Sequence, residues 1–172
     1  MNYVRTATSP QVARVVDQLD RAYAGDAWHG PSLTESLADV SARLAAVRPF
    51  HDSHSIWEIV LHVIGWKHEV CRRVEGADPG MPSEGDWPEV KSPTDSHWAS
   101  AREELDNAHR RLIAATRLLS ESRLMDMVGA HRDRPLGTGV TFFAMLMGAV
   151  QHDVYHAGQI VLLKKAVSEM RD

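Results

Sequence analysis

The sequence predicts an all-α fold, an antiparallel helical bundle forming a single domain over residues 1–172. Three observations carry this. Apolar residues recur at helical spacing in four segments. Stretches rich in proline and glycine separate those segments. A length of 172 residues, 44% hydrophobic and 24% charged, suits one globular domain with a substantial core.

The first helix is expected from Ser9 to Tyr23, where Ser9 can cap, Pro10 fits the first turn, and Val12, Val15, Val16 and Leu19 form the buried stripe. Gly25-Asp26 and Gly30-Pro31 break the chain. A short helix follows from Leu33 to Val47, with Leu33, Leu37, Val40 and Leu44 on one face. The second long helix runs from near Ser55 to near Gly76. Ser55 and Glu58 have the spacing of a capping box, and Ile56, Ile59, Val60, Val63 and Ile64 form a broad apolar face.

Residues 77–93 hold four prolines and two glycines, which predicts a surface crossover long enough to serve as a lid or rim. The third helix spans Ser96 to Leu119, with Trp98, Leu105, Leu112 and Leu119 at heptad spacing beside Ile113. Arg132 to Gly139 is a loop. The fourth helix, from Val140 to about Ser168, is the most apolar of the set and belongs at the centre of the bundle.

Composition excludes several classes. A formal charge of -4, with basic residues in separated pairs such as Arg72-Arg73 and Arg110-Arg111, argues against a nucleic-acid partner. One cysteine, Cys71, permits no intramolecular disulfide, which fits the cytoplasm. The first 23 residues carry charges throughout and lack the apolar run of a signal peptide. Val140 to Val150 is only 11 residues, against the roughly 20 that a membrane span needs.

Ten histidines invite a metal hypothesis, and position sorts them. His152 and His156 are four apart on the fourth helix, so their imidazoles share a face and can converge on one ion. Their stripe also carries Met145, Ala149 and Gln159, flanked by Gly148 and Leu163, and is otherwise largely apolar. Two inward imidazoles need partners, because an unsatisfied buried polar group costs roughly 1–3 kcal/mol. A third ligand has to come from another helix, and His62 is the best candidate, lying among Ile59, Val63 and Trp66. His51 and His54 precede that helix, and His68 is on its more polar side. Cys71 falls about half a turn around the helix from His62 and is structural. Spacing alone leaves open that all three are hydrogen-bonded core histidines. No HExxH motif is present, since Asp153-Val154-Tyr155 separate the pair.

The segment Gln151-His152-Asp153-Val154-Tyr155-His156-Ala157-Gly158-Gln159-Ile160 resembles the last-helix signature of the DinB-like superfamily, two histidines followed by Gly-Gln and an aliphatic residue. Ser55 to Trp66 is the second match, with His62 at the position of the family's helix-two ligand. Trp28-His29-Gly30-Pro31-Ser32-Leu33 and the short helix after it look like the family's first connection. The likeness covers nearly the whole chain. It implies a four-helix bundle of up-down-down-up connectivity with a short extra helix in the first connection, a metal on His62, His152 and His156 near one end, and frequent homodimerisation. The family includes metal-dependent hydrolases and enzymes using low-molecular-weight thiols. This chain departs from it at His54, where many relatives carry tryptophan, and at Ala157, where a basic residue is common. Neither change removes a ligand, and both bear on the pocket rim.

The cofactor expected is one divalent ion, zinc first, with nickel and iron also accepting nitrogen ligands. Three neutral ligands leave it able to activate water or to stabilise a thiolate or oxyanion. The expected function is therefore a metal-dependent hydrolase acting on a small molecule. The alternatives are a thiol-dependent S-transferase or isomerase, and a metal-containing binding or stress-response module without turnover. Candidate catalytic residues are Gln159, one turn beyond His156, and Glu58, one turn before His62, whose capping role is the simpler reading. Gly158 is expected to permit close helix packing, Asp153 to face a neighbouring helix or subunit, and Trp28 with His29 to reach the pocket mouth or anchor the core.

Overall fold

The computed structural model describes residues 8–170; residues 1–7, the start of the stretch read above for a signal peptide, lie outside the described residues. Ser9 caps α1 (Pro10–Ala24), its hydroxyl accepting from the Val12 N–H at 3.3 Å, and Val12, Val15, Val16 and Leu19 are buried as their spacing requires.

The single short helix expected over Leu33 to Val47 is instead two separate turns, α2 (Leu33–Ser36) and α3 (Ala42–Ala45). Each starts on its own serine. Ser32 forms a capping box with Glu35, and Ser41 accepts from the Leu44 N–H at 3.2 Å. Asp39 between them has a φ of 59°, a left-handed conformation through which no α-helix passes. Leu33, Leu37 and Val40 are still buried, so their spacing reflects burial without a continuous helix.

Three further long helices complete the expected bundle: α4 (Ile56–Val74), α5 (Asp95–Arg117) and α6 (Phe142–Glu169). The Ser55–Glu58 capping box that starts α4 is formed on both sides. Two apolar clusters fill the interior. One gathers Leu33, Leu37, Ile56, Trp57, Trp98 and Ile160; the other gathers Val12, Leu19, Cys71, Leu112, Leu146 and Phe142. The 28-residue α6 contributes to both, which is the central position its composition predicts.

Residues 77–93 form neither helix nor strand and run back along α4. The Gly80 N–H donates to Glu69 Oε1 at 2.7 Å, and Arg73 Nη2 donates to the Gly80 carbonyl at 2.9 Å. Pro82 lies so close to α4 that a Cβ on Gly65 would be 3.1 Å from it. Glycine at 65 thus lets the crossover lie against the helix.

An antiparallel ribbon was not expected. β1 (Met127–Val128) pairs with β2 (Val140–Thr141), so α6 begins at Phe142 instead of Val140, capped by Thr141. Among the described residues no helix is long and apolar enough to cross a membrane.

Candidate metal centre

α4 and α6 bring His62, His152 and His156 together, with their ligand atoms all within 4.8 Å of one another. The three Nε2 atoms converge: His152 Nε2 is 2.9 Å from that of His62 and 3.1 Å from that of His156. Around a tetrahedral zinc, bonds of about 2.0–2.1 Å place neighbouring nitrogens roughly 3.3 Å apart. The two separations from His152 are already close to that spacing.

The outer nitrogens decide the protonation pattern. His62 Nδ1 donates to the Asp86 carbonyl at 2.6 Å, and His156 Nδ1 donates to Gln159 Oε1 at 2.7 Å. A neutral imidazole has one N–H, so in both residues Nε2 carries the lone pair and faces inward. His152 can donate from Nε2 to only one of these acceptors. One lone pair is therefore left facing nitrogen in a site where His62 and His156 are 6% and 3% exposed. A cation satisfies all three at once, and hydrogen bonds from the outer ring nitrogens are the usual support of histidine ligands.

Electrostatics favours the same state. Burial, reinforced by His156, His62 and Lys67, drives His152 down to about 2. Burial and the neighbouring His62 bring His156 to about 4 despite the opposing Gln159 bond, and burial also lowers His62. All three imidazoles are neutral at neutral pH, the form in which imidazole binds metal.

The crossover covers one side of this centre. Trp87 stacks on His62 at 3.9 Å between ring centroids, and His54 stacks on the far face of Trp87 at 3.6 Å. Asp86 supplies its carbonyl to His62, while its carboxylate accepts from Trp66 Nε1 at 2.7 Å. Neither Asp86 nor Trp87 lies on a periodic element. The only sequence signal for them was the length of the crossover.

Next to His152 on α6, Asp153 is turned into the bundle, where it accepts from Lys67 Nζ of α4 at 2.6 Å; both side chains are buried. Lys67 is the partner that sequence reasoning missed, being a cation on a helix face with no local sign of burial. Beside this pair a cleft of about 480 Å3 opens between α4, α6 and the loop that joins β1 to β2.

The remaining expectations sort clearly. Gln159 is at the site as the acceptor for His156. Glu58 instead accepts from the Ser55 N–H at 2.8 Å and from Arg48 Nε at 2.9 Å, and it borders a different groove with Arg48 and Pro93. Trp28 is 98% exposed, neither a core anchor nor a pocket residue, and His29 is exposed beside it. Gly158 permits no close packing, since a Cβ there would meet nothing within 4 Å. Cys71 is buried in the second apolar cluster, away from the histidines, as its half-turn offset requires.

Comparison with known proteins agrees with this geometry. The family model described as DinB superfamily matches residues 17–160. A solved structure, the conserved protein of locus from Enterococcus faecalis, has a TM-score of 0.64 and 15% identity over 95% of this chain and 99% of its own, which supports the fold alone. No functionally curated protein matches.

Proposed function

The chain belongs to the DinB superfamily, and on that footing we propose that it is a metal-dependent enzyme acting on a small molecule, with one divalent ion held on Nε2 of His62, His152 and His156. The observation that carries this reading is the fixed pair of tautomers, which leaves three inward nitrogens without enough protons between them. Zinc is the proposed ion, because borderline-soft imidazoles suit it and it accepts a tetrahedral site; nickel and iron share the nitrogen preference. When bound, the ion supplies Lewis-acid activation of a nucleophile or of a substrate oxygen.

The chain's own residues do the rest. Asp86 and Gln159 hold two imidazoles in orientation, Trp87 shields one face of His62 from water, and the cleft gives a small molecule access from the His152 side. The reaction proposed first is hydrolysis of an ester or amide.

A second reading, transfer or isomerisation using a low-molecular-weight thiol, is favoured by one feature. The nearby carboxylates are engaged, Asp86 with Trp66, Asp153 with Lys67 and Glu58 with Arg48. A thiol ionises near pH 8.5 and water near 15.7, so a thiol depends far less on a free base. The proposal also includes a cytoplasmic setting, where the buried Cys71 stays reduced, and a homodimer covering the exposed Val154, Tyr155 and Leu162 of α6.

Elemental analysis after mild purification, followed by an ester and amide panel with and without added thiol, tests the proposal. About one ion per chain and turnover lost in His62→Ala support it. Turnover only with thiol selects the second reading. Sub-stoichiometric metal without turnover in either assay overturns both.

A further inference from the structure

The cleft beside the histidines has the size of a small-molecule site, which is typically about 300–1,000 Å3. Its floor is α6. Ala144, Met145, Gly148 and Ala149 line it on the approach to His152. The nine residues from Ala144 to His152 make this mostly apolar run about 12 Å long. Gly148 stands in the helix interior, where glycine is less favourable than alanine by about 1 kcal/mol. A Cβ there would meet nothing within 4 Å, so no neighbouring helix requires the glycine. Its missing side chain instead leaves depth in the cleft.

The mouth is cationic. Four basic residues, Lys67, Arg73, Arg132 and Arg134, face two aspartates, Asp86 and Asp153. Lys67 is neutralised by Asp153 at 2.6 Å, and Arg73 by Glu69 at 2.8 Å. The ion pairs among the described residues use neither Arg132 nor Arg134. Asp86 is thus the one acidic group of the cleft left to balance these two arginines.

Both arginines sit on a loop held in one shape. The Thr138 hydroxyl donates to the His131 carbonyl at 2.7 Å, and Arg132 Nη1 donates to the Thr138 and Asp133 carbonyls. Gly139, at φ 68°, passes so near the Arg132 backbone that a Cβ would lie 2.5 Å away. The bonds of Arg132 go to neutral oxygens, so its charge remains available.

We propose that this cleft binds a small amphipathic anion, its charged group held by Arg132 and Arg134 at the mouth, its apolar chain along α6 over Gly148, and its opposite end directed at the histidine centre. This deepens the function proposed above and rests on it only for what happens at the inner end.

Calorimetry with octanoate and its neutral isostere octanamide tests the idea, on metal-loaded and on chelator-treated protein. Octanoate should bind at least about tenfold more tightly than octanamide in both forms. Arg132→Gln/Arg134→Gln should cut that preference below about threefold, and Arg134→Gln alone, at a side chain with no ion-pair partner, should lower it without disturbing the loop. Gly148→Leu should weaken both probes by at least about tenfold, with an unchanged or higher melting temperature because leucine is the better helix former. A preference that needs the metal and ignores the arginines would mean that the ion holds the carboxylate, and would overturn the proposal. Binding unaffected by Gly148→Leu would overturn it too. Failure of the metal reading appears separately, as absent metal with the anion preference intact.

Discussion

His152 and Asp153 are consecutive on α6, and both turn polar atoms into the bundle toward α4, yet they end in opposite situations. Asp153 finds Lys67 at 2.6 Å, and the two charges cancel within the protein, although Asp153 Oδ1 has no protein partner. His152 finds two imidazole nitrogens that their own outer hydrogen bonds have already made acceptors. The aspartate region balances its charge, whereas the histidine region keeps one nitrogen lone pair that no protein N–H meets. Burial of a polar group therefore says little about function; what matters is whether protein atoms can satisfy it.

The sharpest way to break the comparison is to remove one member of the histidine triangle. His152→Ala should reduce stoichiometric metal, measured by elemental analysis after dialysis, from about one ion per chain to below a tenth, because two imidazoles on one ion hold it far more weakly than three. Chelator-treated wild type and variant should unfold at nearly the same urea concentration. A variant that keeps its metal would show that the ion does not depend on the triangle.

Asp153→Ala should act the other way, leaving metal content intact while lowering stability. Loss of one partner from a buried ion pair costs about 3–5 kcal/mol, since Lys67 would remain charged and unpaired. Lys67→Met/Asp153→Leu should recover most of that loss in urea unfolding. If the double variant is no better than Asp153→Ala, the pair is not balanced in the way described.

A third buried polar site, His109 of α5, lies between the two cases. It bonds to Asp20 at 3.0 Å and stacks on Tyr23, and burial with the nearby Lys67 lowers it to about 4. The unfolded histidine takes up a proton near pH 6.5 and the folded one only near 4, so between those values the unfolded state binds more protons. Stability from this group is full above pH 6.5 and declines as pH falls toward 4. Asp20, still half exposed, limits the decline by pairing with the protonated ring. His152 and His156 add slopes of the same sign in chelator-treated protein, so His109→Gln should reduce the slope over that window by at most about one proton's worth, and an unchanged slope would count against the assignment.

Gln159→Leu sharpens the metal half of the comparison. It removes the acceptor for His156 Nδ1 while keeping the volume, so metal affinity should fall about 10- to 100-fold, or roughly 1.4–2.8 kcal/mol, by competition with a chromogenic chelator. An unchanged affinity would leave Gln159 without a role at the metal.

How much of this was legible in the sequence follows from the range of each signal. The i,i+4 pair on α6 and the Ser55 cap are local patterns, and both could be placed by spacing. His62 could be preferred to His68 by its apolar neighbours, but it needed the family resemblance to be read as a ligand, since no periodicity distinguishes a ligand from a hydrogen-bonded core histidine. Asp86 and Trp87 had no pattern at all, because irregular backbone gives no periodicity and their contact with His62 spans more than twenty residues. The break at Asp39 was hidden because Leu33, Leu37 and Val40 keep helical spacing through a left-handed turn.

Glu58 gives the smallest effect and the finest test. It shares α4 with His62 one turn earlier, and from spacing it could serve as a base as readily as a cap. Its carboxylate accepts from the Ser55 N–H and from Arg48, and although burial opposes ionisation, Arg48 and Ser55 outweigh it and hold the group below the ordinary carboxylate value. A carboxylate stabilised in this way is a weak base that already has its hydrogen-bond partners. Glu58→Gln keeps an oxygen for the cap and loses the charge, so it should lower stability by about 0.5–2 kcal/mol and leave metal content and turnover within about twofold. A loss of turnover beyond about a hundredfold with metal retained would return Glu58 to the chemistry, since general acid–base groups contribute on that scale.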